Sequence, residues 1–143
     1  MLEAVIDTNV LVYDTFIDSL YHEEAASLLD NLDSWIIPLI VLYEYAWFLK
    51  GFTLEAGKVR EKVLDYASDV KTVVACENVE DILWALNVVV GEGLSVARFN
   101  DMVVLAVAAR RGVPLATFDT RLRRRAEERG IEVLPELKRV SGD

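Results

Sequence analysis

Four acidic residues stand in surroundings that ordinary surface acids avoid. Glu44 lies inside Ile40-Val41-Leu42-Tyr43-Glu44-Tyr45-Ala46-Trp47-Phe48-Leu49, a run that is otherwise apolar. A carboxylate there must be paired, bound to a cation or turned into a wet cleft, because burying it ionised and alone is prohibitive. Asp7 directly follows the apolar Ala4-Val5-Ile6 and precedes Thr8-Asn9. Asp101 opens Met102-Val103-Val104-Leu105-Ala106-Val107-Ala108-Ala109, with Asn100 beside it as the expected helix cap. Asp119 follows Thr117-Phe118 and precedes Thr120-Arg121-Leu122. Plainer roles stay open for each: caps of a helix or turn for Asp7 and Asp119, and a structural ion pair for Glu44. Should the four converge, mutual repulsion raises their pKa values and strains the fold until a cation neutralises them. Oxygen donors without Cys or His suit Mg²⁺ or Mn²⁺. Such an ion acidifies bound water and stabilises charge developing on a phosphate.

Other routes to catalysis find little support. His22, the sole histidine, sits in Tyr21-His22-Glu23-Glu24, the polar face of a helical pattern, and reads as a solvated residue. Cys76 has no neighbouring His to activate it and reads as packing or inert. No Gly-rich phosphate loop is present, which excludes a P-loop or dinucleotide-binding reading.

The elements that must position the acids alternate along the chain. Short apolar or β-branched runs predict strands at 3–6, 34–37, 72–75, 114–117 and 132–134, brief and without alternation, as for parallel strands covered on both faces. Helical patterns cover about 21–32, 39–49, 54–68, 79–90, 101–111 and 120–129, with Gly112 and Gly130 placed as C-terminal caps. This order predicts an α/β fold: a three-layer α/β/α sandwich around a mainly parallel sheet of four to five strands. In such sheets ligands bind beyond the carboxyl ends of the strands, where the strand order reverses. Asp7 and Asp119 both stand at predicted strand ends.

With 143 residues, 53% of them hydrophobic, and no linker or repeat, the sequence predicts one domain spanning residues 1–143. A lone cysteine favours a reducing, intracellular setting, and the start of the chain reads as a buried strand rather than a signal peptide. The longest apolar stretch, 35–43, is far short of the ~20 residues that cross a bilayer. These features predict a soluble, cytoplasmic protein without membrane contact.

The net charge of −9 argues against a general nucleic-acid coat. Its distribution is uneven, however. Residues 1–49 hold nine acids and no Lys or Arg, whereas residues 98–129 hold eight Arg against four acids. That asymmetry fits a basic rim beside an acidic centre, and a solvated basic helix over 121–129 explains it as well.

Taken together, Asp7-Thr8-Asn9 after an apolar strand, Glu44 in an apolar helix, Asp101 opening an Ala-rich helix and Thr117-Phe118-Asp119 after a late strand resemble the PIN-domain family. The resemblance covers essentially the whole chain, and the compact length is similar to VapC-type toxins of prokaryotic toxin–antitoxin pairs. It implies an endoribonuclease using Mg²⁺ or Mn²⁺, with Asp7, Glu44, Asp101 and Asp119 as the catalytic and metal-binding acids. Thr8 or Asn9 would then orient Asp7, and Thr117 would assist near Asp119. It further implies hydrolysis of RNA by metal-activated water leaving a 5′-phosphate, a homodimer, and an antitoxin whose tail fills the acidic groove. Two departures stand out: Arg121 and Leu122 follow the fourth acid where many relatives carry another acid or an aromatic, and Met102 replaces a frequent small residue.

Arg98, Arg110 and Arg121 are candidates for flanking phosphates, since a guanidinium matches phosphate oxygens bidentately. The apolar helix bearing Trp47 and Phe48 has more hydrophobic surface than one sheet face hides, which also predicts a homodimer. Rival readings are a PIN-type nuclease of RNA processing, and a non-catalytic interaction domain whose acids are caps and ion-pair partners. A haloacid-dehalogenase-type phosphatase would want Asp where Asn9 stands, and a phospho-receiver would want paired acids at the first strand end. Both would also want a late Lys, but the sole Lys after position 71 is Lys138.

Overall fold

The computed structural model describes residues 1–52 and 55–137. In chain order they form β1 (Glu3–Ile6), α1 (Thr8–Thr15), α2 (His22–Asn31), β2 (Ser34–Pro38), α3 (Leu39–Lys50) and α4 (Ala56–Ala67). There follow β3 (Thr72–Ala75), α5 (Val79–Gly91), a 3₁₀ turn (Val96–Arg98), α6 (Phe99–Arg111), β4 (Leu115–Ala116), α7 (Thr120–Glu128) and β5 (Val133–Leu134). All strand pairs are parallel, in the order β3-β2-β1-β4-β5.

That order fixes the architecture. From β1 the chain steps outward through β2 to β3, then returns to the other side of β1 to build β4 and β5. Right-handed crossovers therefore place the helices of the two halves on opposite faces. Accordingly α1 packs on α2 and α3, and α3 on α4, while α5 packs on α6 and α6 on α7. The result is the expected three-layer sandwich. Its core joins β1, with Ala4, Val5 and Ile6 fully buried, to Val10 and Leu11 of α1 and Val104, Leu105, Val107 and Ala108 of α6.

Predicted and observed elements agree closely, with instructive exceptions. Helix α1 was not expected: Val10-Leu11-Val12-Tyr13 is β-branched and aromatic, which suits a strand by propensity. The Asp7 carboxylate, accepting from the Thr8 amide at 2.8 Å, starts it as a helix instead. Its far end is tied down by polar contacts with the neighbouring helices. Tyr66 of α4 donates to Asp14 at 2.6 Å, and the Thr15 hydroxyl lies 2.7 Å from that of Tyr45 on α3. Helix α6 begins at Phe99 out of the 3₁₀ turn, with no side-chain cap, so Asn100 is not the cap that the sequence suggested. The expected start of α4, at position 54, lies outside the described residues.

Coverage of the sheet is also incomplete. Val73 and Val74 of β3, an edge strand, are exposed. Gly112 and Gly130 adopt left-handed φ values of 64° and 72° just where α6 and α7 end, as their spacing predicted.

Leu105 of α6 is fully buried. Leu105→Ala should lower unfolding free energy by about 3 kcal/mol through lost burial and the cavity left behind. Urea denaturation monitored by circular dichroism measures it.

Candidate functional site

Strands β1 and β4 are neighbours, and the helices that follow them leave toward opposite faces. This is the reversal point in the strand order, and its carboxyl edge carries Asp7 and Thr117 side by side. The Asp7 amide donates to the Ala116 carbonyl at 2.9 Å, continuing the ladder one residue past the strand. The backbone of Asp7 is therefore fixed by the sheet itself.

Asp7 is 4% exposed and its carboxylate is clasped from three sides. The Thr117 hydroxyl donates to Oδ2 at 2.7 Å, Asn9 Nδ2 donates to the same oxygen at 3.2 Å, and the Thr8 amide holds Oδ1. Asn9 Nδ2 also lies 3.1 Å from Thr117 Oγ1, and Asn9 Oδ1 accepts the Phe118 amide at 3.0 Å. Asn9 thus stitches the two strand ends together. Thr8 faces the other way: its hydroxyl donates to Glu44 Oε1 at 2.8 Å. Asn100 donates weakly to Glu44 Oε2 at 3.4 Å, a contact that the sequence reading missed because Asn100 was placed as a cap.

Glu44 reaches in from α3 and Asp101 from the first turn of α6, one from each helical layer. Asp119 caps α7, its Oδ1 accepting the Arg121 and Leu122 amides at 2.9 and 3.0 Å. The Asp119 amide in turn donates to Thr117 Oγ1 at 3.2 Å. Capping is thus part of what Asp7 and Asp119 do.

Capping does not account for the electrostatics. Burial pushes the Asp7 carboxyl up to about 7; Thr117 and the Thr8 amide pull it down, while the charges of Asp101 and Glu44 add to the rise. Asp101 is raised to about 6, by burial first, then by Asp119 and Glu44, against a lowering from Arg98. The charges of Glu44 and Asp119 thus bear on Asp101, and those of Asp101 and Glu44 bear on Asp7. Among the described residues no three Asp, Glu, His or Cys side chains are gathered at the spacing of a finished metal site. What argues for a cation is the donor set and the charge. Asp7 and Asp101 are raised by neighbouring acids, and among the described residues the buried Asp7 has no ion-pair partner. Hard divalent ions fit that set.

Among the three candidate arginines, Arg98 lies 3.8 Å from Asp101, and both line a groove with Arg121. Arg110 is elsewhere: its guanidinium forms a two-pronged pair with Asp81 of α5, at 2.9 and 3.0 Å, and holds Asp81 below the usual carboxylate range despite burial. His22 is half-buried, with Nδ1 2.9 Å from the Tyr13 carbonyl, and Cys76 is exposed rather than packed.

A family model described as the PIN domain matches residues 4–128. The chain belongs to the PIN-domain family. The fold is shared with solved toxin structures. The sarcin-ricin-loop-cleaving toxin VapC20 of Mycobacterium tuberculosis matches with a TM-score of 0.71 at 16% identity, over 85% of this chain and 94% of that one. VapBC-1 from nontypeable Haemophilus influenzae gives 0.68 at 15%, over 92% and 96%. A toxin–antitoxin complex from Klebsiella pneumoniae gives 0.61 at 20%, over 84% and 89%. Comparison with curated protein sequences finds no match. Among the described residues no helix is long and apolar enough to cross a membrane.

A raised carboxyl pKa binds its proton more tightly in the folded state, so the metal-free fold loses stability as pH climbs from about 4 through about 6 for Asp101. Asp101→Asn removes that penalty. At pH 8 in chelator the variant should melt a few degrees above the wild type, with the gap closing near pH 4; each kcal/mol is roughly 3 °C for a domain of this size. Scanning calorimetry at several pH values checks the sign.

Proposed function

We propose that this protein is a metal-dependent endoribonuclease, acting as the toxin of a toxin–antitoxin pair. The observation that carries the proposal is the buried Asp7 at the strand-order reversal, with Asp101 and Glu44 raising its pKa and Asp119 and Glu44 raising that of Asp101. In this reading Asp7, Glu44, Asp101 and Asp119 hold one or two Mg²⁺ or Mn²⁺ ions. When bound, such an ion supplies charge neutralisation, acidification of water and stabilisation of charge developing on a phosphate.

The chain's own residues prepare that chemistry. Thr117, Asn9 and the Thr8 amide keep Asp7 in one orientation, with no rotamer search left to pay for when an ion arrives. Thr8 aims Glu44 through its hydroxyl, so α1 and α3 are set relative to each other at the cleft. Capping fixes Asp119 through Oδ1 and leaves Oδ2 uncommitted among the described residues. Asp101 projects from the first turn of α6, and its repulsion from Asp119 and Glu44 is relieved by a cation.

Membership in the PIN-domain family supports nuclease chemistry, and the likeness to toxin complexes supports a protein antitoxin as partner. The rival reading, an interaction domain, rests on the caps made by Asp7 and Asp119. Titration calorimetry with Mn²⁺ separates the two. Saturable binding is expected in the wild type, abolished in Asp7→Asn and Asp101→Asn, with RNA cleavage lost in parallel. Thr117→Val should bind Mn²⁺ about 10–100-fold more weakly, as is usual when a residue orienting a ligand is lost. A wild type that binds no Mn²⁺, together with an Asp101→Asn variant that cleaves RNA normally, would sink the nuclease reading.

A homodimer belongs to the same proposal. Helix α3 presents Tyr43 at 68% and Trp47 at 72% exposure, and α5 presents Val79, Ile82, Leu83 and Leu86 to solvent at helical spacing. Faces of this kind are normally covered by another chain. Sedimentation should give a dimer at micromolar concentration and a monomer for Trp47→Asp with Leu83→Asp; a monomeric wild type refutes the dimer.

A further inference from the structure

A groove of about 840 Å³ opens directly off the acid centre, with Asp101 and Met102 in its lining. That size lies within the range of sites that hold small molecules or a few residues of a polymer, roughly 300–1,000 Å³. One wall is the segment through Gly93, Leu94, Ser95 and Ala97; the other is the face of α7 that carries Arg121, Arg124 and Arg125. Arg98 stands at the junction with the acids, its charge partly spent on Asp101.

These arginines differ in one respect that decides their use. Arg125 is paired with Glu92, as is Arg129 on the next turn, so those two tie α7 to the end of α5. Arg123 donates to the carbonyls of Thr117, Leu134 and Pro135 and locks α7 onto the strand ends. Arg121 and Arg124 do neither. Among the described residues their guanidinium groups have no hydrogen-bond or ion-pair partner, and both side chains are exposed. Glu128, four residues after Arg124, also lines the groove. Positions i and i+3 lie on neighbouring turns, about 5–6 Å apart at Cβ. That step is comparable to the one between successive phosphates of an extended strand.

We infer that this groove is the track of single-stranded RNA leaving the acid centre, with Arg121 and Arg124 gripping consecutive phosphates on one side of the cut. The inference rests on the ribonuclease reading of the acids and assigns which surface holds the substrate. A strand whose scissile phosphate sits among the acids must exit somewhere, and this groove shares Asp101 with the acids. A positively charged groove that follows the backbone is one of the two parts of a sequence-tolerant single-strand site, the other being platforms on which bases stack, a role that arginine planes can also take. Leu94 and Ala97 supply an apolar wall for a base, while the arginines neutralise the backbone. Arg110, paired with Asp81 on another part of the surface, has no share in it.

The test is fluorescence anisotropy with a labelled mixed-sequence 12-nucleotide RNA, in chelator so that no cleavage occurs, across a salt series. The proteins are the wild type, Arg121→Ala with Arg124→Ala, the corresponding double Lys variant, and Arg60→Ala on α4 as a control. Each lost phosphate contact removes about 0.7 from the slope of log affinity against log salt for a single strand. The double Ala variant should therefore lose about 1.4 in slope and bind about 25-fold more weakly near 0.1 M salt. The double Lys variant should keep the slope, because point charges still neutralise phosphate, and Arg60→Ala should behave as the wild type.

A double Ala variant with wild-type slope and affinity overturns the inference. If cleavage by that variant is also normal while Asp101→Asn is inactive, the ribonuclease reading stands and the strand runs elsewhere. If the wild type neither binds nor cleaves RNA, both readings fall. If the double Ala variant loses binding to an Asp/Glu-rich peptide but not to RNA, the groove belongs to an acidic protein segment and the RNA track is refuted.

Discussion

Asp7 places a carboxylate on the floor of the sheet, at the point where two parallel strands end together and their helices diverge. Water is almost excluded there, and burial is the largest of the effects that lift its pKa to about 7. A folded protein keeps such a group when enough donors hold it, and here the donors come from both strand ends: Thr8 and Asn9 after β1, Thr117 after β4. The clasp therefore does two things at once. It makes the charge tolerable, and it joins β1 to β4 beyond their short ladder, since β4 itself has two residues. The local cost of burying the acid is offset by hydrogen bonds that the fold needs at that edge.

The remaining acids are placed by elements that depend on this junction. Helix α1 starts because Asp7 caps it, and Thr8 in its first turn fixes Glu44 of α3. The residues after β4 start α7 through Asp119, whose amide is held by the same Thr117 hydroxyl that holds Asp7. One hydroxyl thus links the first and fourth acids. Asp101 comes from the opposite layer and makes no such bond. Its place is set by α6, whose Met102–Ala108 segment is buried throughout. A rigid, deeply packed helix substitutes for hydrogen bonds in positioning it.

How much of this was legible in the sequence follows from what each signal depends on. The strands and most helices were readable because parallel strands covered by helices are short, apolar and separated by helical periodicity. The acids were readable because an ionisable residue inside an apolar run conflicts with its surroundings, as at Glu44. Helix α1 was not readable, since propensity in Val10-Leu11-Val12-Tyr13 favours a strand and the deciding factor is a cap defined by three-dimensional contacts. The fate of Arg110 was hidden for a related reason. Nothing in Ala108-Ala109-Arg110-Arg111 indicates that Asp81, 29 residues earlier, waits buried beside it. Arg124 was concealed within Arg123-Arg124-Arg125, where composition is uniform and only geometry tells an anchor from a free cation.

That run also resolves an apparent conflict between the overall charge and the proposed substrate. A chain of net charge −9 repels a polyanion at long range, yet at physiological salt that repulsion is screened within about 8 Å. What a bound strand experiences is the nearest few side chains. Much of the negative charge lies in residues 1–49, none of which lines the groove, whereas Arg121, Arg124 and Arg125 of α7 border it. Three neighbouring arginines then divide the work: Arg123 and Arg125 are committed to holding the helix, and Arg124 is left free because its neighbours already do so. Affinity for a phosphate chain depends on such uncommitted cations rather than on the arginine count, because a guanidinium already bonded to a carbonyl or carboxylate must break that bond before it can bind a phosphate.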